Sequence, residues 1–134
     1  MQYLIFAGQI LLAVLLGGLI GVQRVRSGKS AGPRTCALVA SGAALYTLLS
    51  ANAFGVAEPG RVAAQIITGI GFLGAGVIIH KQGGVVEGLT TAAALWAVAA
   101  VGMAVGVGWI WQSFIAAIVM LLVLMINDDF FKKK

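Results

Sequence analysis

Val62-Ala63-Ala64-Gln65-Ile66-Ile67-Thr68-Gly69-Ile70-Gly71-Phe72-Leu73-Gly74-Ala75-Gly76-Val77-Ile78-Ile79-His80 is an unbroken run without Asp, Glu, Lys or Arg. Its reading decides what kind of protein this is. At its centre, Gly69 to Gly74 has the G-x-G-x-x-G spacing of dinucleotide-binding loops. That motif works only between a strand and a helix start, where open amides point at a pyrophosphate. Here it lies inside an apolar run long enough to cross a hydrocarbon core of about 30 Å. Its amides are therefore expected to be bonded within one helix, and its glycines to serve close helix packing. The fold class that follows is all-α and membrane-embedded.

The rest of the chain agrees with that solvent. Of 134 residues, 60% are hydrophobic and 10% charged, and the mean hydropathy is +1.03. Soluble domains carry about 25% charged residues, so too little charge is present to cover a globule in water. The net charge of +5 sits between apolar segments, which fits membrane orientation and anionic lipid rather than nucleic acid. Cys36 is the single cysteine, so no intrachain disulfide is expected. The first twenty residues lack a positive leading region and an Ala-x-Ala site, and are read as a retained helix.

Five spans are expected, at 3–22, 35–54, 62–80, 89–107 and 109–126, followed by a short basic cytoplasmic tail at 128–134. The breaks are Ser27 to Pro33, Ala57 to Gly60, Gln82 to Gly84 and Gly106 to Gly108. Five crossings put Arg24, Arg26, Lys29, Arg34, Lys81 and Lys132 to Lys134 on one side and leave Arg61 on the other. Positive residues collect on the cytoplasmic face, so the N-terminus is expected outside and the C-terminus inside. Trp109 and Trp111 then fall at the outer interface.

Small residues recur at helical spacing: Ala13, Gly17 and Gly21; Ala64, Thr68, Gly71 and Ala75; Gly102 and Gly106. Together with Gly69, Gly74 and Gly76 they are the candidate packing positions, since close backbone approach drives association where lipid removes the hydrophobic force. Each stripe serves either the bundle itself or a homodimer.

The polar residues in and beside the spans are the candidate functional ones. Gln65 needs a partner in hydrocarbon, either an interhelical hydrogen bond or a polar cavity. Thr90 and Thr91 open the fourth helix and either cap its amides or line a path. Glu87 precedes them at the positive end of the helix dipole. Gln23 and Arg24 end the first helix, and Arg34 with Thr35 begins the second. Glu58 and Arg61 stand three apart at a helix start, an arrangement for a surface ion pair. His80 has no second ligand near it in sequence, so no metal site is expected. No nucleophile triad, carboxylate pair or phosphate loop stands in the sequence, and neither an enzyme nor a cofactor is expected.

These residues resemble the MgtC/SapB family of bacterial inner-membrane proteins. The matching stretches are Gly18 to Arg24, Ala31 to Thr35 with Leu38-Val39, Glu58 to Ile78, and Gly88 to Trp96. The resemblance implies a multi-pass, non-enzymatic inner-membrane protein linked to growth at low magnesium, ion homeostasis and survival in host cells. It further implies modulation of a partner membrane complex, as some members restrain the ATP synthase. Certain members add a C-terminal ACT-like domain, which is not expected in a sequence ending Asp128 to Lys134. Where the family has a Glu, an Arg-Thr-His and a basic residue, this chain has Gln23, Arg34-Thr35-Cys36 and Glu87. The two charge changes suggest that Gln23 and Glu87 are neighbours, with the acid still facing Arg24 or Arg34. The competing expectation is a small-solute or ion transporter with a polar path near Gln65, Arg61, Thr90 and Thr91. The bilayer, a second copy of the chain and a partner membrane complex are the expected partners.

Overall fold

The computed structural model describes residues 1–52 and 59–126. In chain order these form α1 (Gln2–Arg26), α2 (Pro33–Asn52), α3 (Pro59–Val77), β1 (Ile79–His80), β2 (Val86–Glu87), α4 (Leu89–Gly106) and α5 (Ile110–Met125). Glu58 and the basic tail at 128–134 lie outside the described residues.

Local chemistry sets the boundaries. α1 passes its expected end because Gln23 to Arg26 contain no breaker. It stops where Gly28 takes φ +66 and the amides of Ser27, Gly28 and Lys29 fold back onto the carbonyls of Gln23, Val25 and Arg24. Gly108, at φ +85, ends α4 through the same wrapping of Val107, Gly108 and Trp109 amides. A left-handed glycine satisfies carbonyls that a helix end leaves open. Pro33 and Pro59 stand at first helical positions, where a missing amide costs nothing.

Two expectations are corrected. The third helix ends at Val77, not His80, and the molecule is not purely helical. Ile79 and His80 pair antiparallel with Glu87 and Val86, closed by Gly83 (φ +91) and Gly84 (φ +80). β-branched residues on both sides of two adjacent glycines favour a hairpin over another helical turn. The fifth apolar segment is a helix of 16 residues, about 24 Å at 1.5 Å per residue. Four helices, α1 to α4, are long and apolar enough to cross a membrane; α5 is apolar but shorter.

The packing is inverted relative to a soluble bundle. Leu4, Phe72 and Trp111 are 76%, 82% and 77% exposed, whereas the core is rich in Ala13, Gly17, Ala40, Ala43, Ala44 and Ala99. α2 is gripped between α1 and α4. A Cβ at Gly17 would overlap the Cys36 carbonyl, and one at Gly21 would overlap Gly32 and Pro33. From the other side, a Cβ at Gly102 would overlap the Ala40 carbonyl, and one at Gly106 the Ala44 carbonyl and Thr47. α3 lies on α4, where a Cβ at Gly74 would meet that of Ala92 at 3.4 Å, an ordinary contact. α3 also touches α2, and most of its other surface is exposed.

Candidate functional site

Side chains of α1 bind α4 near both of its ends. Toward the C-terminus of α4, Gln9 Nε2 donates to the carbonyls of Val105 (2.9 Å) and Gly106 (3.3 Å) in the last turn of the helix. Near its N-terminus, Arg24 reaches the Thr91 hydroxyl.

Around that second contact a polar cluster forms at one end of the bundle. Arg24 is 2% exposed and Thr91 3%; Arg24 Nη2 donates to Thr91 Oγ1. Ser30, in the loop after α1, donates to the same oxygen at 3.5 Å. Gln23 Nε2 donates to the Leu124 carbonyl of α5 and to Ser27 Oγ, both at 3.0 Å. Among the described residues, two buried side-chain atoms have no hydrogen-bond partner, Arg24 Nε and Gln23 Oε1. The Cys36 thiol is buried nearby in sequence and donates to the Ala31 carbonyl at 3.3 Å.

The other expected site residues distribute differently. Arg34 and Thr35 are exposed in the first turn of α2, Thr90 is exposed beside buried Thr91, and Arg61 is exposed at the start of α3. Glu87 does not face Gln23 across the cluster as expected: it pairs with Lys81 across the hairpin at 2.6 Å. The hairpin register decides this: with Glu87 opposite Ile79 and Lys81 bonded to Val85, Lys81 and Glu87 lie diagonally on the same face of the ladder. Gln65 is exposed on α3 and lines a groove of about 500 Å³ between α2 and α3, with Leu38, Gly42, Tyr46, Gly69 and Leu73. Among the described residues no group of His, Cys, Asp or Glu is arranged to hold a metal ion.

Sequence reasoning missed Gln9 and Ser30. Gln9 had a signal, because an amide inside an apolar span demands a partner as Gln65 does. Ser30 had none, since it is one of several loop hydroxyls. Of the candidate packing glycines, Gly17, Gly21, Gly102 and Gly106 are at contacts, and so is Gly74. Gly69, Gly71 and Gly76 have nothing within 4 Å of a would-be Cβ.

Long apolar helices with large side chains outward and small ones inward define the class, a multi-helix integral membrane protein. Within that class the chain belongs to the MgtC family, whose model matches residues 10–133. It is similar to an uncharacterised protein of Haemophilus influenzae, with 43% identity over 129 residues, 90% of this chain and 54% of the relative. It is also similar to Protein MgtC of Brucella abortus, with 53% identity over 106 residues, 79% of this chain and 44% of the relative. Protein MgtC of Salmonella typhimurium is 49% identical over 112 residues, 84% of this chain and 48% of the relative. The chain thus spans about half the length of these curated relatives. No solved structure matches it.

Proposed function

We propose that this chain is a non-enzymatic protein of the bacterial inner membrane that serves adaptation to low magnesium by contacting a partner membrane complex. It crosses the membrane five times, with the N-terminus outside and the C-terminus in the cytoplasm. The α3 face is the contact surface, either for the partner or for a second copy of the chain. One observation carries this reading. Two of the three small-residue stripes are consumed inside the bundle, whereas Ala64, Thr68, Gly71 and Ala75 of α3 stay exposed. A helix face of small residues with a hydroxyl is built for another helix rather than for lipid. Family membership supports the magnesium link.

The test is rescue of growth at low magnesium in a bacterium lacking its own relative. The parent chain should restore growth, and Gly71→Leu should reach the membrane in equal amount yet fail to rescue. Full rescue by Gly71→Leu would remove the α3 face from the mechanism.

A second reading has its own observation. The groove holding Gln65 between α2 and α3 offers a polar group in an otherwise apolar cleft, as a small-solute or ion path requires. Flux of magnesium or small anions into proteoliposomes, lost in Gln65→Leu, would favour it; zero flux favours the contact protein.

A further inference from the structure

Arg24 is a buried guanidinium without a carboxylate partner among the described residues. Glu87 is taken by Lys81, and the other three acidic residues lie outside the described residues. An unpaired charge in such a place is costly, and its Nε has no hydrogen-bond partner among the described residues. Its Nη2 is held by a neutral hydroxyl, that of Thr91. Thr91 accepts from Arg24 and from Ser30, which leaves the Thr91 proton to be donated elsewhere. Thr91 also stands in the first turn of α4, an 18-residue helix whose N-cap, Gly88, provides no side-chain cap. The helical ladder begins with Ala92 N–H on the Gly88 carbonyl, so the Leu89, Thr90 and Thr91 amides precede it. The free amides and dipole of a helix start attract anions. Arg26, Lys29 and Arg34 are exposed on the adjoining loop and helix start.

We propose that Arg24, Thr91, Ser30 and the first amides of α4 form a binding site for a phosphate group. A guanidinium, two hydroxyls and helix amides present several donors, the nearby carboxylate of Glu87 is held by Lys81, and a tetrahedral oxyanion has the acceptors to use those donors. Arg24 supplies the buried charge, and exposed Ser30 marks the side of entry. Inorganic phosphate and a phospholipid headgroup share this chemistry. The site is independent of which protein meets the α3 face, so failure of either claim leaves the other standing.

The experiment is thermal unfolding of the whole chain in neutral detergent, followed by tryptophan fluorescence. One arm titrates inorganic phosphate against chloride at matched ionic strength; the other adds phosphatidylglycerol against phosphatidylcholine. A ligand that binds only the folded state raises Tm saturably, and we expect this in at least one arm. A phosphate response without a phosphatidylglycerol response assigns the free anion, and the reverse assigns the headgroup. Arg24→Gln should abolish the response. Because Arg24 is buried and its replacement perturbs the fold as well as the site, Ser30→Ala and Thr91→Val are read too. Each should weaken apparent affinity about ten-fold, the loss of one hydrogen bond to a charged group. No response in either arm, a response equal to chloride's, or unchanged affinity in both hydroxyl variants would overturn the site.

Discussion

Gly88 shows how much a single position decides. It holds φ +92, and an added Cβ would overlap the Val77 carbonyl, so both conformation and space demand glycine. Gly84 shares the conformation, at φ +80, but has nothing within 4 Å. Gly88→Ala should therefore lower unfolding stability in detergent by more than the ~1–2 kcal/mol that left-handed strain alone costs. Gly84→Ala should cost no more than that strain, and equal losses would deny the steric part. Arg24 is the other decisive residue. It was legible as a candidate from its place at the end of an apolar helix, but burial and an unbonded Nε are visible only once α4 is in place. Glu87 was misjudged for a related reason: its partner is set by the hairpin register, which a membrane-helix reading does not contain.

Among elements, glycine stripes of identical appearance have different uses. Spacing alone marks Gly71 and Gly102 as equivalent, and it cannot say which neighbour each stripe meets. In the fold Gly102 lies against the Ala40 carbonyl while Gly71 meets nothing. Gly102→Ala should thus destabilise the bundle by the ~1–3 kcal/mol typical of overpacking, and Gly71→Ala should leave its melting temperature unchanged. A loss of stability in Gly71→Ala would mean that α3 is packed differently. Gln9→Leu removes the donor to Val105 and Gly106 and should cost about 1 kcal/mol, in the range of interhelical hydrogen bonds in membranes. Unfolding of the variant in detergent measures it, and an unchanged midpoint would show that lipid or water satisfies those carbonyls equally well. The breaks around Gly28, Pro33 and Gly108 were readable, since turn chemistry is local, although α1 runs past its expected end to Arg26 and α2 starts already at Pro33. The hairpin was not, because its apolar strands continue the pattern of the preceding helix.

At the scale of the molecule, three helices lock through small residues and a fourth lies beside them with most of one side uncovered. Large apolar side chains such as Phe72 and Trp111 face outward, which only lipid or protein tolerates over so wide a surface. The membrane class was therefore legible from composition, while the division between packed core and open face required the fold. That division is tested most directly by a photoreactive amino acid at Gly71 in intact bacterial membranes, with Leu15 of α1, 62% exposed, as the lipid-facing comparison. The account predicts a discrete protein adduct from position 71, identified by mass spectrometry as a second copy or one partner subunit, and none from position 15. Lipid adducts alone from both positions would contradict it.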